Sequence, residues 1–383
     1  MKTYSLLLAL VITGTTAIAA EPPALPPQQA IDAITPEDLL KHVKVLASDE
    51  FEGRAPGSKG EELSVKYISE QFKSIGLKPG NPNGSYTQEV PLAGITSAPT
   101  ASFKVGENTM NLKFPDEYVA FSAQLKDEIT VTNSDMVFVG YGVVAPEYGW
   151  DDYKDIDVKG KTIVMLINDP AIPDPEDPTK LDDKMFKGRA MTYYGRWSYK
   201  YEIAAKKGAA AAVIIHETVP AAYPYSVVLS SWSKENFEID NPNKNMDRVG
   251  VSAWVTLDTA KKLLAESGQD FDALKKAALS KDFRPVALGA KADFDVKQTV
   301  RSFKSHNVVG KIDGSNPELQ DEWIMYTAHW DHIGKHPDIE GDQIFNGAVD
   351  NASGVAGLIE LARAACGLEN TNEAVSSLYG HHC

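Results

Sequence analysis

The spacing of apolar and polar positions divides the chain into three stretches with different periods. Between residues 35 and 76 the apolar positions recur at helical spacing. Thr35 followed by Pro36 predicts the start of one helix, because threonine caps helices and proline fits their first turn. Ser58 begins a second helix, and Gly76 follows its last apolar position as a typical stop. The N-terminal stretch is therefore predicted to be helical.

From about Tyr86 the period changes to that of β-strands. Short apolar runs bounded by turn residues are typical of buried strands. Such runs lie within 131–144 and at 160–167, 209–215 and 251–257. Helical patterns at 199–207 and 258–266 alternate with these runs. The pattern predicts a self-contained mix of strands and helices, which we interpret as a domain inserted between two stretches that need one another.

The third stretch predicts strands followed by a loop and a helix. We expect an edge strand at 291–304, a core strand at 306–312 and a buried strand at 323–328. An Ala/Leu-rich helix begins at Val355. The polar residues between the last strand and this helix lie where an α/β sheet normally builds its functional site.

Three of these polar residues have the chemistry of a metal site. His329 and Asp331 are two residues apart, and a carboxylate in reach of an imidazole can hold its second nitrogen. Asp350 offers oxygen atoms that can bridge two metal ions. Histidine and carboxylate ligands without cysteine suit Zn²⁺ in an open catalytic site. Two such ions can share a hydroxide and polarise a carbonyl group.

The alternatives for the histidines are structural. A single histidine beside a tryptophan in a core strand is usually a packing residue, and only the combination with Asp331 and Asp350 favours a ligand role for His329. We interpret the remaining histidines as loop, structural or incidental residues. They are His332 and His336 in the loop, His42 and His216 elsewhere, and the terminal pair His381 and His382.

Charge and the N-terminus restrict the location and the partners. A net charge of −15 argues against nucleic acid and anionic membranes as partners. Residues 1–20 combine a basic start, a short apolar core and small residues, which predicts a signal peptide cleaved after Ala19 or Ala20. A membrane anchor is the alternative interpretation. We expect a periplasmic or secreted protein that is not membrane-bound after cleavage, and the sequence predicts no oligomeric state.

The two motifs resemble those of a known family. Ala328-His-Trp-Asp-His-Ile-Gly and Asn346-Gly-Ala-Val-Asp-Asn-Ala-Ser-Gly are similar to the first two metal motifs of the exported dizinc aminopeptidases of clan MH. The segment 46–57 resembles that family's N-terminal entry. The segment from Phe138 to Ile215 resembles the protease-associated domain that is often inserted in it.

This resemblance implies an α/β fold with the zinc-exopeptidase mixed sheet and flanking helices, plus an inserted α+β protease-associated domain. We assign residues 21–125 to the first part of the peptidase domain, 126–290 to the insertion and 291–383 to a truncated metallopeptidase core. By the same resemblance, His329 would bind one zinc ion, Asp350 would bridge two, and Asp331 would orient His329. Metal-bound water would attack the N-terminal peptide bond of a peptide substrate, with a glutamate as general base.

The sequence departs from the family after Ala364. The expected Glu-Glu pair, a later acid and a final histidine cannot be placed. We expect residues 365–383 to be out of frame. Read one base later, the codons permitted for residues 369–383 allow a basic turn, a hydrophobic strand and the start of a Glu-Glu motif. A genuine divergent tail is the alternative. We therefore expect this chain to be inactive and poorly folded, because a half-completed sheet leaves an open edge.

Other functions remain open. A dizinc carboxypeptidase or another amidohydrolase would use the same residues, and which end of the peptide is read depends on positions beyond Asp350. A non-catalytic peptide- or protein-binding member of the fold is the third possibility. Retention of His329, Asp331 and Asp350 favours the enzyme, because a protein without catalytic function can lose any of the three.

Overall fold

A computed structural model describes residues 28–314, 316–319, 321–337, 339–367 and, for the backbone alone, 377–380. The predicted signal peptide at 1–20 lies outside these described residues, as do His381 and His382. Most of the segment predicted to be out of frame also lies outside them.

Nine α-helices occur in the described residues, together with short 3₁₀ turns that include Asp49–Arg54. In chain order they are α1 Gln28–Ala33, α2 Pro36–Leu46, α3 Lys59–Ile75, α4 Trp197–Lys206, α5 Thr218–Ala221, α6 Tyr225–Trp232, α7 Leu257–Glu266, α8 Phe271–Ala277 and α9 Ser353–Cys366. Within the described ranges, no helix combines the length and the apolar composition that crossing a membrane requires.

The strands of the described residues range from two to 26 residues in length. In chain order they are β1 Lys78–Pro79, β2 Thr87–Val105, β3 Asn108–Asn111, β4 Tyr118–Phe121, β5 Glu128–Phe138, β6 Val144–Ala145, β7 Trp150–Asp151, β8 Thr162–Leu166, β9 Ala211–Ile215, β10 Asn236–Ile239, β11 Val251–Val255, β12 Val286–Lys311, β13 Met325–Tyr326, β14 Gly334–Lys335, β15 Ile344–Phe345 and β16 Ser377–Gly380.

The chain divides into two compact units. The inner unit comprises residues 89–306, and the outer unit comprises residues 1–88 and 307–383. The sequence predicts the inserted segment at 126–290, so the inner unit is longer at both ends. The additional residues include most of β2 and β12, which are neighbours in its sheet. The identity of the inner unit as a protease-associated domain stays a prediction.

The inner unit is built on a mixed sheet with the strand order β10-β2-β12-β5-β8-β9-β11-β4. The central strands β5, β8, β9 and β11 pair in parallel, and β4 and β12 flank them in antiparallel orientation. Every residue of β8, β9 and β11 is buried. This agrees with the continuous apolar runs, since a strand covered on both faces has no polar side.

The outer unit packs helices α2, α3 and α9 around a smaller core. This core consists mainly of apolar side chains from the helices, the 3₁₀ turn, β12 and the two motif segments. Its fully buried members include Leu46, Phe72, Val308, Trp330, Ala352 and Ala362. The described structure is thus of the mixed α/β class, with a mixed sheet and flanking helices, and the predicted fold class is confirmed at that level.

The predicted starts of α2 and α3 and the predicted end of α3 are confirmed, whereas α9 begins at Ser353, two residues before the predicted Val355. The Thr35 hydroxyl accepts a hydrogen bond from the Asp38 amide at 3.1 Å, and the Ser58 hydroxyl caps α3. Gly76 adopts a left-handed conformation with φ of 97° directly after α3. The sequence predicts these helix boundaries because a helix cap depends on residues that are only a few positions apart.

Two strand predictions were wrong. Residues 291–304 are not an edge strand, because they belong to β12, which lies between β2 and β5. The segment 323–328 is not a buried strand, because only Met325–Tyr326 are extended. The side chains of Trp323, Ile324 and Met325 are more than half exposed. Apolar periodicity identifies a side chain that favours burial, but not whether another layer covers it.

Candidate metal site

The first motif segment alternates between the core and the site. Ala328 and Trp330 are 8% and 1% exposed and pack into the outer-unit core. His329 and Asp331, at the intervening positions, are only partly buried. Because successive side chains of an extended segment point to opposite sides, the two buried residues fix the direction of the two polar ones.

Asp350 completes an array of three side chains. His329 Nδ1 lies 3.2 Å from Asp331 Oδ1, and His329 Nε2 lies 3.1 Å from Asp350 Oδ1. Asp350 belongs to the kinked segment Ala348–Ala352, which leads directly into α9. Its side chain is 69% exposed, whereas that of Asp331 is 17% exposed. The arrangement holds the imidazole between a shielded carboxylate and an accessible one.

The electrostatics of His329 follow from its neighbours. The hydrogen bond to Asp331 raises the pKa of His329, and the charge of Asp350 adds to this effect, while burial opposes it. Asp331 Oδ1 accepts from Nδ1 when that nitrogen carries the proton, and Nε2 faces Asp350. The tautomer protonated at Nδ1 is the one that a ligand at Nε2 requires.

His332 lies closer to the array than its sequence interpretation as a loop residue implies. Its Nδ1 atom is 3.8 Å from the second carboxylate oxygen of Asp350. Burial lowers the pKa of His332, and Asp350 partly counteracts this shift. His336, by contrast, contacts the backbone oxygen of Ile333 at 3.2 Å and does not join the array.

Arg54 holds the two motif segments together. Its side chain is fully buried, and its Nε atom donates to the carbonyl oxygen of Trp330 at 2.8 Å. Its Nη atoms donate to the carbonyl oxygens of Leu46, Asn346 and Gly347. The guanidinium group thereby bridges the His329 segment and the Asp350 segment. Burial lowers the pKa of Arg54, while the charges of Asp331 and Asp350 oppose the shift.

A second buried network anchors α9, the helix that follows Asp350. The Glu360 carboxylate is 2% exposed and pairs with Arg363 and with His42 Nε2, the latter at 3.2 Å. His42 Nδ1 lies 2.7 Å from the Tyr67 hydroxyl on α3. The network joins α2, α3 and α9. His42 is therefore a packing residue whose carboxylate partner lies 318 positions away.

The donor atoms fit zinc in type and spacing. Two ligands of a tetrahedral zinc ion at ~2.1 Å are roughly 3.4 Å apart. The 3.1 Å between His329 Nε2 and Asp350 Oδ1 is close to that separation. Asp331 holds the other imidazole nitrogen, as carboxylates do behind zinc-bound histidines. In the described part of the chain, however, no group of three or more His, Cys, Asp or Glu side chains forms a metal-holding cluster.

The structure thus brings together all three residues that the sequence selects, and their metal-binding roles stay predictions. Sequence reasoning missed Arg54. The only available signal was its position in the Gly53-Arg-Ala-Pro-Gly57 loop, within the segment that resembles the family's N-terminal entry. Its hydrogen-bond acceptors at Trp330, Asn346 and Gly347 lie 276 to 293 positions away, so the local pattern could not reveal its contacts.

Comparison with known proteins gives one family match and several structural likenesses. Residues 307–374 match the model of Peptidase family M28. No curated protein matches the chain. An aminopeptidase from Aneurinibacillus sp. strain AM-1 is 21% identical with a TM-score of 0.42, over 92% of this chain and 63% of that one.

Two further solved structures are similar. BSAP, a zinc aminopeptidase from Bacillus subtilis, is 15% identical over 90% of this chain and 60% of its own, with a TM-score of 0.35. A Peptidase M28 precursor from Shewanella amazonensis SB2B is 15% identical over 92% of this chain and 65% of its own, with a TM-score of 0.37. The chain therefore spans less than two thirds of the length of each. The family match agrees with the resemblance read from the two motifs, because the segment that carries both of them, residues 307–374, matches the model of Peptidase family M28.

Proposed function

We propose that this chain carries part of a zinc-dependent aminopeptidase that removes N-terminal residues from peptides. The observation that supports this most is the Asp331–His329–Asp350 array within the segment matching Peptidase family M28. The proposal includes export by the N-terminal signal. It also includes two zinc ions in the complete site, with peptides as substrates.

In this proposal each residue has a distinct task. His329 Nε2 and Asp350 Oδ1 would hold the metal, and Asp331 would keep the proton of His329 on Nδ1 so that Nε2 remains a donor. Arg54 fixes the backbone of both motif segments. Bound zinc would supply a water of lowered pKa and polarise the substrate carbonyl.

We also propose that the 383-residue chain alone does not hydrolyse peptides. Among the described residues, His329 and Asp350 provide two donors, whereas a catalytic zinc ion usually has three protein ligands and an open position. His332 faces Asp350 at 3.8 Å but is not placed with His329 as a third donor. Release of amino acids from a peptide by the purified chain, abolished by a chelator, would refute this part.

Zinc binding tests the ligand assignment directly. We expect His329→Ala to abolish zinc binding by the 383-residue chain, and Asp331→Asn to weaken it roughly 10- to 100-fold, because the imidazole loses its fixed orientation. Competition with a chromophoric chelator measures both. His336→Ala is the matched control, since this histidine lies in the same loop outside the array. Equal affinity for the wild type and His329→Ala would remove the proposed site.

The choice between aminopeptidase and carboxypeptidase activity is tested on the protein encoded by the +1 reading frame. An aminopeptidase hydrolyses a peptide with an amidated C-terminus and spares one with an acetylated N-terminus, whereas a carboxypeptidase shows the reverse preference. About two zinc ions per chain support the enzyme. Absence of zinc supports a non-catalytic binding protein. If the gene has no such frame, the explanation by frameshift fails.

A further inference from the structure

The inner unit contains a pocket that has no part in the proposed peptidase chemistry. Its volume is about 200 Å³, more than ten times the roughly 10–15 Å³ that one water molecule needs. It is lined by residues from α4, from β4, β10 and β11 and from the segment that precedes β11. A pocket of this size suits a small molecule better than a folded partner.

One wall of the pocket is aromatic. Phe121, Trp197 and Tyr201 line it, and the Trp232 ring lies behind them with centroid distances of 4.7, 5.8 and 5.6 Å. The Tyr201 hydroxyl donates to the Ala253 carbonyl oxygen at 2.9 Å, which fixes the ring. Trp197 is 44% exposed, so the aromatic wall is open to a ligand. Rigid aromatic rings bind apolar side chains at a low cost in conformational entropy.

Opposite charges line the same pocket. Glu238 extends from β10 and is partly buried, whereas Arg248 precedes β11 and is exposed. The third charged residue of the lining, Glu202, accepts a hydrogen bond from the Tyr193 hydroxyl group. Burial raises the pKa of Glu238, and the charge of Arg248 only partly offsets this shift. A ligand ammonium group would stabilise this carboxylate, and a ligand carboxylate would complement the guanidinium group.

We propose that this pocket binds a free amino acid in its zwitterionic form, with an apolar or aromatic side chain. Its ammonium group pairs with Glu238, its carboxylate pairs with Arg248, and its side chain lies against Trp197 and Tyr201. Both charges of the ligand are attached to one carbon atom, which matches a pocket whose lining offers the base Arg248 and, besides the hydrogen-bonded Glu202, the acid Glu238. The inference does not rest on the proposed peptidase function, because binding is measured without any hydrolysis.

Titration of the full 383-residue chain with L-phenylalanine tests the proposal. Calorimetry and quenching of tryptophan fluorescence report binding, since Trp197 and Trp232 lie at the pocket. We expect saturable binding of one molecule per chain. Phenethylamine lacks the carboxylate and 3-phenylpropionate lacks the amine, so each should bind roughly 10- to 100-fold more weakly.

Variants separate the contributions of the two charges. Glu238→Gln and Arg248→Met should each weaken L-phenylalanine binding roughly 10- to 100-fold. Arg248→Met should leave phenethylamine affinity unchanged, which a merely structural defect would not do. The exposed Glu107→Gln, in the turn between β2 and β3, is the matched control and should bind as the wild type does. Thermal unfolding of each variant verifies that it folds.

Two results would overturn the proposal. The first is the absence of saturable L-phenylalanine binding to a folded wild-type chain. The second is phenethylamine binding as tightly as L-phenylalanine with no effect of Arg248→Met, which would reduce the pocket to a site for organic cations. Loss of zinc binding or of peptidase activity leaves this test unaffected, so the failures of the two proposals are distinguishable.

Discussion

Replacement of Arg54 by methionine should destabilise the two motif segments that carry the candidate metal site. The guanidinium group is fully buried and donates to four carbonyl oxygens, on Leu46, Trp330, Asn346 and Gly347. Methionine fills part of the volume and supplies no donor. The substitution therefore leaves four acceptors without their partner and releases the two motif segments from each other.

The expected magnitude follows from these contacts. A hydrogen bond to a charged group contributes ~1.5–3 kcal/mol, but four such bonds on one side chain are not additive. Removal of one member of a buried charged network typically costs ~3–5 kcal/mol, and we expect a loss in this range for Arg54→Met. Arg54→Lys keeps the charge but not the planar fork, so it should lose ~1–3 kcal/mol.

Hydrogen exchange measured by mass spectrometry is the suitable assay, because it reports the opening free energy of each segment. A loss of ~3–5 kcal/mol corresponds to exchange that is roughly 150- to 4,000-fold faster in peptides covering 328–352. Peptides from β8 and β9 in the inner unit serve as an internal reference. Lys66→Met on α3 is the matched control. The Lys66 side chain is 71% exposed, and its ammonium group lies 4.0 Å from Glu70 Oε1, so this surface ion pair contributes little to stability.

The reasoning fails if Arg54→Met exchanges like the wild type over residues 328–352. The expected order also fails if Arg54→Lys is as destabilising as Arg54→Met, because the charge and the N–H donors that lysine retains would then contribute nothing. In the first case Arg54 would not be the residue that positions the two motif segments.

Three further predictions concern backbone space, buried charge and pH. Gly53→Ala should lower the free energy of unfolding by more than ~2 kcal/mol in urea denaturation, because its φ is +69° and a Cβ would lie 2.5 Å from the Gly334 carbonyl oxygen. Gly76→Ala, with φ of +97° and open space around it, should cost only ~1 kcal/mol, and an equal loss at both positions would contradict this account. Glu360→Gln removes a buried carboxylate from its ion pair and should cost ~1.5–3 kcal/mol by the same measurement, whereas an unchanged midpoint would show that the network contributes nothing. Burial lowers the pKa of Lys200 from its ordinary value of 10.5 to about 7. Between pH 7 and 10.5 the unfolded chain therefore binds more protons than the folded chain does. The free energy of unfolding should rise with pH above 7 by up to ~1.4 kcal/mol per pH unit. Lys200→Met should lack this increment in denaturation at pH 7 and pH 9, and an identical pH dependence in both proteins would refute it.

The local features of this protein can be predicted from its amino-acid sequence. The ends of α2 and α3 follow from Thr35, Ser58 and Gly76, because a helix cap is decided within one turn. The buried strands β8, β9 and β11 follow from continuous apolar runs, because strands covered on both faces carry no polar positions. The motif residues His329 and Asp350 followed from their chemistry and spacing.

Contacts between groups that are far apart in the chain are visible only in the folded structure. Arg54 bonds to carbonyl oxygens almost 300 positions away, and a carbonyl oxygen has no signature in the sequence. The pair of His42 on α2 and Glu360 on α9 likewise joins residues that are far apart in the chain. The apolar strand at Met325 is exposed although its composition favours burial, because burial depends on the layer that packs above a strand. Local patterns are set by neighbours in the chain, whereas contacts and burial are set by the path that the whole chain follows.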